Sequence, residues 1–61
     1  MDFVVNDFVT ITDFETQDEF EMKMKFGEEY EYQRFTGKLG DDNVTGLICL
    51  ADENIYGLEK I

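Results

Sequence analysis

The side chains in this chain that could do chemistry are almost all carboxylates. Asp and Glu number 15 against 5 Lys and Arg, and His is absent. Ser is absent too, so neither a Ser–His nor a Cys–His nucleophilic system can be assembled. The single Cys49 lies between Ile48 and Leu50 and reads as a buried structural thiol. The adjacent acids Asp41/Asp42 and Glu28/Glu29 are close enough to share a proton. Nothing around them suggests a pocket, however, and solvated turn acids account for them. Catalysis is not expected, and neither is a cofactor.

One spacing resembles a metal loop. Asp41, Asn43, Thr45, Gly46, Ile48 and Asp52 fall on positions 1, 3, 5, 6, 8 and 12 of an EF-hand loop. An EF-hand needs a helix on each side, whereas the preceding segment carries Tyr30, Tyr32, Phe35, Gly37 and Gly40, and the last ligand is Asp rather than the longer bidentate Glu. A small calcium-binding module is therefore the alternative from a different class, and no metal is expected.

The remaining chemistry is that of a fixed negative field. Asp2, Asp7, Asp13, Glu15, Asp18, Glu19 and Glu21 precede the first base, Lys23, and the formal net charge is −10. On a strand, carboxylates two residues apart, such as Glu19/Glu21 or Glu29/Glu31, share a face at about 6.6 Å. DNA is likewise a regular row of negative charge, and its binders present basic grooves. Such a chain is repelled by nucleic acid and by anionic membranes, so its expected partner is a basic protein surface. Tyr30 and Tyr32, interleaved with Glu29 and Glu31, would supply the apolar anchors that binding requires.

These groups need a fold to hold them. Hydrophobic residues at 43% and aromatics at 15% separate the chain from disordered acidic sequences. A domain of this size buries only about 60% of its unfolded surface. With no internal disulfide and no Cys/His cluster to staple it, a homodimer with a shared sheet is expected. The acidic start lacks the features of a signal peptide, and no apolar run reaches the ~20 residues of a membrane span, so an intracellular protein is expected.

From Glu19 to Phe26 the residues Phe20, Met22, Met24 and Phe26 alternate with Glu19, Glu21, Lys23 and Lys25, which is the period of a strand. Helical Glu/Lys pairs compete, but at a few tenths of a kcal/mol each they lose to apolar burial at roughly 1.5–3 kcal/mol per side chain. Glu29–Phe35 repeats the alternation, and Gly27 marks a hairpin. Pairing Phe26 with Tyr30 and Met24 with Tyr32 would gather aromatics and methionines on one face, set Lys25 opposite Glu31, and require a three-residue loop, Gly27–Glu29. Phe8–Thr12 reads as a weaker strand, and residues 1–7 as a frayed terminus. Val44, Leu47, Ile48 and Ala51 follow a helical spacing behind Asp41, Asp42 and Asn43, predicting a short helix over about 42–52. The competing reading there is a strand over Leu47–Leu50 turning at Asp52–Asn54. Ile55–Ile61 reads as a final strand, central or facing the dimer. The expectation is one α+β domain spanning 1–61, with about three antiparallel strands and one helix in β-β-α-β order.

Three short motifs, Asn6-Asp7-Phe8-Val9, Tyr30-Glu31-Tyr32 and Leu58-Glu59-Lys60-Ile61, together with the length and acidity, resemble the small dimeric uracil-DNA glycosylase inhibitors of protein-primed Bacillus phages. That resemblance implies a non-enzymatic DNA mimic acting in the host cytoplasm. It would block the DNA-binding groove of host uracil-DNA glycosylase, with acids in place of phosphates and a helix-borne Phe filling a hydrophobic pocket of the enzyme. Glu31 matches the family's hairpin Glu. Asp41–Asn54 holds no Phe or Tyr, so the plug would fall to Leu47, Ile48 or Phe35. The expected partner-binding set is Glu29, Tyr30, Glu31, Tyr32, Phe35, Asp41, Asp42, Leu47 and Ile48. A DNA mimic directed at another host DNA-processing or restriction protein is the alternative within the same physics.

Overall fold

Alternating apolar residues, β-branched Val, Ile and Thr, and turn-forming Asn and Gly dominate this chain, and they build strands throughout. The computed structural model describes residues 1–61 as five antiparallel strands. These are β1 (Phe3–Asn6), β2 (Val9–Lys25), β3 (Glu28–Leu39), β4 (Asp42–Cys49) and β5 (Ile55–Lys60), each beside its neighbour in sequence. The α+β expectation of about three strands and one helix in β-β-α-β order is thus overturned: the molecule is an all-β meander.

The segment expected as a helix over about 42–52 is mostly β4. Val44 and Ile48 point to one face of the sheet and Leu47 and Cys49 to the other; Val44, Leu47 and Cys49 are buried. A strand covered on both faces loses the period of two, and its apolar residues then mimic helical spacing. Gly46, which weakens a helix, has a positive reason to be here. It lies opposite Phe35, and a Cβ at Gly46 would stand 2.8 Å from the Phe35 ring. The EF-hand-like window is likewise strand rather than loop, with Asn43 paired to Lys38 and Thr45 to Thr36.

Two apolar clusters occupy opposite faces of the sheet. On the first face, Ile11, Phe14, Phe35 and Val44 are buried, with Phe3 stacked on Phe14 and Phe14 on Phe35 at centroid distances of 4.8 Å. On the second, Tyr32, Leu47 and Cys49 are buried, with Tyr30 and Tyr56 packed against them. Two irregularities in β2, between Thr12 and Glu15 and between Thr16 and Phe20, let it bend, the first at Asp13 with φ 50°. Gln17 and Gln33 tie the second, Gln33 Nε2 donating to the Gln17 carbonyl at 2.9 Å. The first part of β2 brings Ile11 and Phe14 to the Phe35 cluster. Its second part runs on with β3 as a two-stranded arm.

The arm's register differs from the expected one. Phe26 (φ 53°) and Gly27 (φ 77°) form a two-residue turn of the primed type, which matches the twist of the strands. Lys25 therefore pairs with Glu28, Met24 with Glu29, Lys23 with Tyr30, Met22 with Glu31 and Glu21 with Tyr32. The observed register is offset by three residues from the expected one, and an odd offset turns every side chain to the opposite face. The tyrosines join Leu47 and Cys49 on one side, while the methionines stand on the other beside the glutamates.

Candidate partner-binding face

On the Phe35 side of the arm, Phe20, Met22 and Met24 form a row on β2 that is 48%, 54% and 66% exposed. Glu29 and Glu31 stand beside Met24 and Met22 on β3. No base shares this side. Lys23 and Lys25 on β2, and Arg34 and Lys38 on β3, all project to the Tyr32 side by strand alternation. Lys60 on β5, opposite Val44, is on the Phe35 side of the sheet but off the arm, where it pairs with Asp42.

The base content of the Tyr32 side neutralises the acids there. Arg34 Nε lies 3.1 Å from Glu19 and its Nη2 3.6 Å from Glu21. Glu28 accepts a hydrogen bond from the Tyr30 hydroxyl at 2.6 Å, which holds the Tyr30 phenol above its ordinary pKa. Burial does the same for Tyr32. Of the two phenols, Tyr30 acts as a hydrogen-bond donor, to Glu28. Glu29 and Glu31 have no ionic partner, so two uncompensated carboxylates flank an open apolar row.

The expected site residues separate in space. Glu29 and Glu31 lie on this face. Tyr30 and Tyr32 lie on the reverse side; Tyr32 is buried, and its ring meets Tyr56 edge-on at 5.7 Å. Phe35, fully buried, and Leu47, also buried, belong to the interior and cannot fill a partner's pocket. Ile48 is half-buried against the Phe35 cluster. Asp41 and Asp42 sit at the β3–β4 turn, where Asp42 pairs with Lys60 at 3.3 Å. Leu39, opposite Asp42, is eight residues from Glu31 along β3, so the two acidic groups are up to about 26 Å apart. Sequence reasoning missed Phe20, Met22 and Met24 as surface groups. Their alternation with charged residues marks a strand and predicts a buried face, but the arm has nothing packed over it.

Next to the Tyr32 cluster, the β4–β5 turn is fixed by Asp52, which accepts hydrogen bonds from the Asn54 N–H and the Tyr56 hydroxyl, each at 2.9 Å. These, the Asn54 N–H first, hold the Asp52 carboxyl below the usual range. A depressed folded-state pKa contributes stability above the unfolded value of about 3.9 and loses it as pH falls through the folded one. Asp52→Asn should therefore lower the melting temperature at pH 7, and its difference from wild type should shrink between about pH 5 and pH 2. Thermal melts across that range check this.

No known protein family, curated protein or solved structure matches this chain. What the exposed face offers chemically is apolar contact bordered by negative charge.

Proposed function

We propose that this protein is a non-enzymatic inhibitor that imitates DNA and occupies the DNA-binding groove of a host uracil-DNA glycosylase. The observation that carries this reading is the uncompensated Glu29/Glu31 pair beside Phe20, Met22 and Met24, on a side of the arm without a base. Carboxylates spaced about 6.6 Å apart meet the fixed Lys and Arg groups that a DNA groove presents. The apolar row adds contact area that salt does not screen. The glycosylase is chosen among proteins with such grooves because the short motifs around Asn6, Tyr30 and Leu58 resemble those of the uracil-DNA glycosylase inhibitors. The plug, which the helix-borne Phe of that family supplies, passes here to the Phe20/Met22/Met24 row, because Phe35 and Leu47 are interior.

Calorimetric titration of a bacterial uracil-DNA glycosylase over a salt series tests this. Binding should be competed by DNA and should weaken as salt rises, since charges are screened within about 10 Å at 0.1 M. Glu31→Gln keeps the shape, yet should lower affinity and flatten the salt slope. Asp2→Asn, ahead of β1, should do neither. Equal effects at the two positions would mean that net charge alone matters. Capture of a restriction or nuclease subunit, with no affinity for the glycosylase, would transfer the same mimicry to that target.

A further inference from the structure

Of the 17 residues of β2, only Val9–Ile11 pair with β1, and the Phe14 N–H donates to the Met1 carbonyl, so from Glu15 onward its outer edge has no chain beside it. In a two-residue hairpin the closing pair, here Lys25 and Glu28, exchanges both backbone hydrogen bonds. Alternation then leaves the N–H and C=O groups of Met24, Met22 and Phe20 directed at the open edge. An edge that is long, open and lined with exposed apolar side chains is a template for another strand.

The sequence along this edge is complementary to itself. Glu19, Glu21, Lys23 and Lys25 project to the Tyr32 side in the order acid, acid, base, base. When a second copy runs antiparallel with Met22 opposite Met22, Glu19 faces Lys25 and Glu21 faces Lys23. The symmetry doubles these to four opposite-charge pairs. On the other side Phe20 faces Met24, and Met22 faces its own copy. A slip of two residues in either direction places Glu21 opposite Glu21 or Lys23 opposite Lys23, and like charges directly opposed are destabilising. In a chain of net charge −10, this four-residue pattern is locally neutral and allows close approach of two copies.

We propose that two copies pair antiparallel along the β2 edges about a two-fold axis at Met22, joining the two arms into one four-stranded sheet. The contact is isologous and closes on itself, so it gives a dimer and not a fibre. The joined sheet carries one continuous apolar strip of two Phe20, two Met22 and two Met24 side chains. Glu29 and Glu31 of each copy border it. Strands are spaced about 4.8 Å apart, so the two carboxylate rows lie about 14 Å from each other across the strip. The proposal does not depend on which target, if any, the strip meets.

Charge exchange tests it without a target. Sedimentation equilibrium of the wild type at about 100 μM should give twice the 7.2 kDa chain mass. Lys23→Glu/Lys25→Glu and Glu19→Lys/Glu21→Lys should each weaken self-association at least 30-fold, and their equimolar mixture should restore the dimer. Because Glu19 and Glu21 also meet Arg34, a second variant guards against loss of fold in the latter. Met22→Cys places two thiols on the axis at a Cα separation near 5.5 Å, within disulfide reach, and should cross-link on mild oxidation. The buried Cys49 is shielded from that reaction. A monomeric wild type, a mixture that stays monomeric, or cross-linking of Leu58→Cys on the β5 edge in preference to Met22→Cys would each overturn the proposal.

Discussion

Phe35→Ala should leave the chain largely unfolded at 25 °C. The Phe35 side chain is fully buried, stacks on Phe14 at 4.8 Å, and covers Gly46, where a Cβ would stand 2.8 Å away. Truncating a core Phe to Ala costs about 3–5 kcal/mol through lost burial and the cavity left behind. A domain of this length has about 3–9 kcal/mol in total, at 0.05–0.15 kcal/mol per residue. The loss therefore takes most of the stability. Phe26→Ala makes the opposite control: Phe26 is 92% exposed at the arm's turn, and its truncation should change stability by no more than about 0.5 kcal/mol. Urea titration followed by circular dichroism compares the two. A Phe35→Ala variant that unfolds at nearly the wild-type midpoint would displace Phe35 from the centre of the core.

The contrast between those two phenylalanines also shows what the sequence carries and what it hides. The alternation of Phe20, Met22, Met24 and Phe26 with charged residues identifies a strand, and the repeat in Glu29–Phe35 identifies its hairpin partner. The face is another matter, because it depends on the register. Gly27-Glu28-Glu29 offers a three-residue loop as readily as Phe26-Gly27 offers a two-residue one. The choice falls to the primed turn although Phe26 must then take φ 53°, a conformation that L-residues seldom adopt. The partner that decides is distant in sequence. Tyr32 is buried with Leu47 and Cys49 of β4, beside Tyr30 and Tyr56, and this removes both tyrosines from the methionine side. β4 reads as a helix, with a strand over Leu47–Leu50 only as the competitor, because neighbours cover both of its faces. β1, read as a frayed terminus, forms a turn with β2 through Asn6, whose side-chain oxygen accepts from the Phe8 and Val9 N–H groups at 2.8 and 3.1 Å. Of the candidate site, Glu29 and Glu31 were legible because carboxylates two apart on any strand share a face. Phe35, Leu47 and the tyrosines were not: the three-residue offset in register carried the tyrosines to the other face, while Phe35 and Leu47 are covered by side chains distant in sequence.

Glu29→Lys/Glu31→Lys should abolish tight binding to the proposed glycosylase target while leaving the fold intact. Both side chains lie on the open side of the arm, pair with no base, and face Met24 and Met22 across the ladder. Reversing them replaces two attractions by two repulsions against a basic groove. Truncating one member of a buried charged pair costs about 2–5 kcal/mol, so a loss on the order of 1,000-fold in affinity, about 4 kcal/mol, is expected for the double reversal. The control keeps the change in net charge and alters the place: Asp7→Lys/Glu59→Lys, on the β1–β2 turn and on β5, reverses two acids away from the arm. General electrostatic steering acts mainly on the association rate, so this control should slow binding at low salt and approach wild type at about 0.3 M salt. The arm variant should remain weak at both, because the proposed contact encloses its carboxylates. Surface-captured glycosylase, titrated with each variant at the two salt concentrations, separates the outcomes. If the two double variants lose affinity equally and recover equally with salt, the negative field of the whole molecule, and not this face, carries the binding.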